Sequence, residues 1–105
     1  MAKTHFSGPL VIGSTQALSG AGAIDIVSYI SEVTTTGADA LTLADGEEGQ
    51  HKVIVMVADG GDGTLTPSNL AGGTTITFND VGDSASLLFT NGSWHVIGQN
   101  GVTIA

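Results

Sequence analysis

Val, Ile and Thr fill 30 of the 105 positions, whereas Lys, Arg, Glu and Gln together fill eight. That imbalance constrains the fold more than any single motif. β-Branched side chains are stiff at χ1 and suit the pleated, half-buried surface of a strand. Surface helices are built mainly from the straight-chain residues that are scarce here. Sixteen Gly against two Pro allow many tight turns with few broken strands. The chain is expected to be all-β, a small antiparallel β-sandwich or barrel-like body with an extended N-terminal arm.

The core supply is thin. Eleven of the apolar residues are Ala, and the aromatic set is Phe6, Tyr29, Phe78, Phe89 and Trp94. Ordering about a hundred residues costs on the order of 100–200 kcal/mol of conformational entropy. Association is one remedy for a small core, so an oligomer is expected in preference to a marginal monomer. Phe78, Phe89 and Trp94 are the expected core or interface anchors.

Charge excludes whole classes of partner. The net charge is −8 and there is no Arg. Nucleic-acid binding needs a basic patch that displaces counterions, and anionic membranes need the same. No apolar run reaches the length of a membrane-spanning helix, and no secretory leader is expected from the N-terminal residues. The absence of Cys removes disulfides and thiolate metal sites.

Along the chain, residues 1–23 read as an arm and a flexible linker, with Phe6, Pro9, Leu10, Val11 and Ile12 as its apolar stretch. Residues 24–105 read as the β-rich body. Residues 24–36 suit a strand better than a helix, with Ile24, Ile26 and Ile30 sharing a parity. Val53–Val57 is continuously apolar, as in a strand covered on both faces. Ala85–Phe89 is a further strand. Asn91-Gly92 is a strong hairpin signal, and Asn100-Gly101 reads as a second turn of that kind. Two segments echo each other. Leu41–Asp45, Gly49 and Val53–Met56 match Ile76–Asp80, Gly82 and Ser86–Phe89 as strand, Asp-containing turn, Gly, strand.

No catalytic set is legible. His5, His51 and His95 lie outside any nucleophile elbow, and most acids sit in Gly- or Asn-rich turns, where Asp bonds its own backbone. The chain is expected not to be an enzyme and to hold no cofactor. Asp59 and Asp62, in the loop Asp59-Gly60-Gly61-Asp62-Gly63, offer oxygens of the type Ca²⁺ prefers but without EF-hand spacing. Whether they take Ca²⁺ stays open at this point, and no metal is assigned. Trp94 suits an anchor better than a sugar-stacking platform, since one Trp and one Tyr make no platform.

Three phrases carry a resemblance: Thr66–Phe78 (TPSNLAGGTTITF), Gly82–Gly101 (GDSASLLFTNGSWHVIGQNG) and Leu41–Gln50 (LTLADGEEGQ). Their texture resembles the small Gly/Thr-rich β modules of tailed-bacteriophage virion proteins, which include capsid decoration (cement) proteins and fibre or spike modules. The resemblance spans about residues 37–105. It implies a virion structural protein, commonly a homotrimer, made in the host cytoplasm. The first expectation is a decoration protein on the capsid exterior. Its partner would be the major capsid protein, held through Phe6, Pro9, Leu10, Val11 and Ile12. The alternative is a tail fibre or spike component that binds a host surface glycan near Asp59–Gly63 and Trp94.

Overall fold

Strand-forming residues pair as ten strands in the computed structural model, which describes residues 13–105. They are β1 (Thr15–Ser19), β2 (Gly22–Ile24), β3 (Ile30–Thr34), β4 (Asp39–Leu43), β5 (Gln50–Ala58), β6 (Gly63–Pro67), β7 (Ile76–Phe78), β8 (Ser84–Thr90), β9 (Ser93–Asn100) and β10 (Thr103–Ile104). The protein is all-β, with no helix among the described residues. The first sheet has the order β1-β3-β5-β8-β9 and the second the order β10-β7-β6-β4-β2.

The expectation of an antiparallel sandwich is corrected, and neither sheet closes into a barrel. β1, β3 and β5 run parallel, and so do β2, β4 and β6. Each of the first six strands lies in the opposite sheet from the one before it. The chain therefore winds as a coil of three rungs, one strand per sheet in each rung. Parallel neighbours need a long crossover connection, usually a helix. Here the strand in the other sheet provides it. From β7 onward the direction reverses. β7 is antiparallel to β6, β8 to β5, β9 to β8 and β10 to β7.

Register turns alternation into a core. Leu18, Val33 and Met56 align across the first sheet, and Leu41, Leu65 and Ile76 across the second. These inward rows meet in a single cluster that includes Ile24, Leu43, Ile54, Phe78, Leu87, Phe89 and Trp94. β5 is fully covered on one face and only partly on the other, where His51, Val53 and Val55 are half-buried. Val57 on its outward parity is 43% exposed, which corrects the expectation of cover on both faces.

Residues 15–23, expected to be linker, lie largely in β1 and β2 and form the first rung. Small residues gave no sign of this, because the pairing partners lie a full turn of chain away. The run from Ile24 to Ile30 is not one strand either. Asp25 Oδ1 accepts the N–H groups of Val27 (3.2 Å) and Ser28 (2.8 Å), and this turn carries the chain from the second sheet to the first.

Glycine allows successive turns of chain to stack. A Cβ on Gly60 would sit 2.3 Å from Thr35 O, and one on Gly61 2.5 Å from the Gly37 carbonyl carbon. Thr35 Oγ1 locks the stack by donating to Gly61 O (2.7 Å) and accepting from Gly60 N (2.9 Å).

The internal echo has a structural counterpart. Both units cross from the second sheet to the first, β4 to β5 and β7 to β8. Gly49 N–H donates to Phe89 O (2.8 Å), and Gly82 N–H donates to Met56 O (2.9 Å). The two glycines have φ of 86° and 94°. Lys52 pairs with Leu87 and Ile54 with Ala85, so equivalent positions exchange places about a local twofold between β5 and β8. Asn91 (φ 54°) and Gly92 (φ 78°) make the β8–β9 hairpin turn. At Asn100-Gly101 only the glycine has positive φ, and the chain passes there from the first sheet to the second. That turn is a crossover, not a hairpin.

Candidate functional site

The most unusual group in the body is a lysine. Lys52 falls on the inward parity of β5, between the core and the turn at Asp25–Ser28, and is fully buried. Its Nζ donates to Ser28 O at 2.7 Å and lies 3.6 Å from Asp25 Oδ1. Burial lowers the Lys52 pKa, opposed by the Asp25 carboxylate. Burial also acts to raise Asp25, but the Ser28 N–H, the Lys52 ammonium, the Ser28 hydroxyl and the Val27 N–H outweigh it and hold that carboxyl below the usual range. Gln16 completes the network. Its Oε1 accepts from Asp25 N (3.0 Å) and Ser31 Oγ (2.7 Å), and its Nε2 donates to Ala23 O (3.0 Å). The cluster ties the three rungs together, and every named member spends its hydrogen bonds on the fold.

Phe78, Phe89 and Trp94 are all buried. Trp94 donates from Nε1 to Ala44 O at 2.9 Å and meets Phe89 edge to face, with centroids 5.2 Å apart. Gly46 makes room for it, since a Cβ there would lie 2.8 Å from the indole. A sugar has no indole face to stack on.

The histidines are separated. His51 and His95 each align with Leu88, one strand to either side. The Tyr29 hydroxyl shares a hydrogen bond with His51 Nδ1 at 2.9 Å, and His95 Nε2 lies 3.2 Å from Thr90 O. His51 Nε2 is buried with no partner among the described residues. Glu48 clasps the β8–β9 hairpin by accepting from Thr90 Oγ1 and from Asn91 N (3.0 Å). The Thr90 hydroxyl, then the Asn91 N–H, hold its carboxyl below the usual range.

In the acidic glycine loop, Asp59 Oδ1 accepts from Gly61 N at 3.0 Å, a local turn contact. Among the described residues no three His, Asp or Glu side chains are grouped to hold a metal ion. His5 and the arm residues Phe6, Pro9, Leu10, Val11 and Ile12 lie outside the described residues.

Sequence reasoning missed the Lys52–Asp25–Gln16 cluster. Its one legible signal was parity, since Lys52 precedes Ile54 and Met56 on the same face of β5. No pocket is found among the described residues. No protein-family model matches this chain, and no curated protein matches it either.

Proposed function

We propose that this chain is a virion structural protein, a capsid decoration protein that binds the outer surface of a phage head as an oligomer. The observation that carries the reading is a two-layer β body that includes the Gly/Thr-rich phrases of residues 66–78 and 82–101. Small-molecule sites are concave, whereas such a body offers broad surfaces to another protein. The partner is the major capsid protein. Phe6, Pro9, Leu10, Val11 and Ile12 are the proposed anchor, an apolar segment able to add to a neighbour's sheet edge. Repeated weak contacts on a lattice gain through multivalency. The resemblance implies three copies, while the edge geometry argued below points to two. A variant lacking residues 2–13 should keep its β-type circular dichroism and lose co-sedimentation with empty heads of its phage. Undiminished co-sedimentation overturns the assignment of the anchor, and failure of the intact chain to sediment with heads overturns the decoration reading.

A further inference from the structure

The two ends of the first sheet are finished differently. At β9 the outer edge is covered at Trp94. Trp94 N–H donates to Asn69 O and Trp94 O accepts from Ala71 N, both at 2.9 Å, which makes a short bridge between Leu70 and Trp94. Further along, the β8–β9 register shifts at Ser86/Leu87. Bulges and covering segments are ways of blunting an edge.

At β1 no such device is present among the described residues. Its sequence, TQALS, holds no charge and no proline, and its pairing with β3 runs without a bulge. In a parallel ladder a residue directs its N–H and C=O to the same side, and the side alternates along the strand. Ser14 O accepts from Ile30 N, and Gly20 N donates to Thr34 O, so the even-numbered residues face β3. Thr15, Ala17 and Ser19 therefore turn their backbone groups away from the sheet, where no strand lies among the described residues. In the second layer Gln16 already occupies Ala23 O and Asp25 N, so within the first rung the open capacity lies in β1. Leu18 stays only half buried at the end of its row, resting near Gly22.

We propose that β1 pairs antiparallel with β1 of a second copy about a twofold axis at Ala17. The two five-stranded sheets then join into one of ten strands. Charge and symmetry argue for a second copy as the occupant. Residues 13–24 hold no ionisable side chain in a chain of net charge −8, so two copies meet here with little repulsion. Glu32, aligned with Ala17, is set back one strand in each copy. The two Glu32 side chains are thus separated by roughly 14 Å at ordinary strand spacing, beyond the Debye length at physiological salt. The open residues are also self-complementary. The axis sets Thr15 opposite Ser19 and Ala17 opposite its own equivalent, each pair exchanging both N–H···O=C bonds. Pairing of this isologous kind consumes the edge and closes at two copies.

The test uses the free full-length protein, with no capsid present, so it stands apart from the virion reading. Light scattering should give the mass of two copies. Ala17→Pro should give one copy with an unchanged circular dichroism spectrum, because proline is tolerated where the N–H faces outward on an edge. Thr42→Lys, on the exposed face of the second sheet, should stay at two. Should Ala17→Pro fail to fold, amide exchange on the wild type decides. The Thr15, Ala17 and Ser19 amides should slow as concentration rises. A wild-type mass of one or three copies, a pair that survives a folded Ala17→Pro, or concentration-independent fast exchange at those amides overturns the proposal.

Discussion

Lys52 and Asp25 are unequal partners. The lysine has no access to water, while the Asp25 side chain is 36% exposed. Removing the acid strands a buried cation, whereas removing the amine leaves a carboxylate that water and backbone N–H groups still satisfy. Breaking a fully buried pair costs about 3–5 kcal/mol. Asp25→Ala should cost less than that, about 2–3 kcal/mol in urea unfolding, because Asp25 is partly solvated. Lys52→Met should cost less, since an apolar isostere of similar length suits the site. The pair also sets a pH signature. The folded-state pKa of Lys52 lies below the ordinary value of 10.5, so between the two values the unfolded chain binds more protons. Stability therefore gains from Lys52 as pH rises through that window. Asp25 acts at the acid end. Its pKa is depressed below 3.8, so its contribution is present above that value and is lost as pH falls through the folded one. Melting temperatures measured against pH should show the alkaline gain in the wild type and not in Lys52→Met. At Trp94, truncation to Ala should cost about 3–5 kcal/mol, as for other buried aromatics. Trp94→Phe should cost less, losing mainly the bond to Ala44 O.

Elements were legible to different degrees. Residues 41–43, 76–78 and 85–89 were legible as strands, and β4, β7 and β8 each bury one face against the same core. Asn91-Gly92 marked a hairpin because its backbone requires positive φ at both residues. Parallel pairing was not legible, since Thr15, Ile30 and Val53 share no local pattern and meet only because turns of chain stack. The partners of Lys52 were hidden for the same reason. The sequence left open whether the loop at Asp59–Gly63 takes Ca²⁺, and gave no sign that Gly60 and Gly61 stack against Thr35 and Gly37. Gly60→Ala should therefore destabilise the fold by about 1–3 kcal/mol, typical of forced overpacking, with no dependence on added calcium. Thermal unfolding with and without CaCl₂ checks both parts. Gly49 and Gly82 meet nothing within 4 Å, so alanine at either should cost only the left-handed backbone strain, about 1–2 kcal/mol.

At the scale of the whole molecule, one core cluster draws on both sheets and on both the parallel and the antiparallel halves. Unfolding in urea should therefore be a single transition, with circular dichroism and Trp94 fluorescence coincident. Folding should take milliseconds to seconds, because nearly every pairing is non-local. The fold class was readable from composition, since residue types alone disfavoured helices. The winding of the chain was not, because sheet membership alternates strand by strand. That winding makes length a modular property. A second copy of residues 30–52 inserted before Val53 would present its strands to the same neighbours as the first, so the chain is expected to admit an extra storey while β7–β10 stay as its roof. The edge proposed to pair with a second copy lies on the ground floor, the one storey that such lengthening leaves untouched.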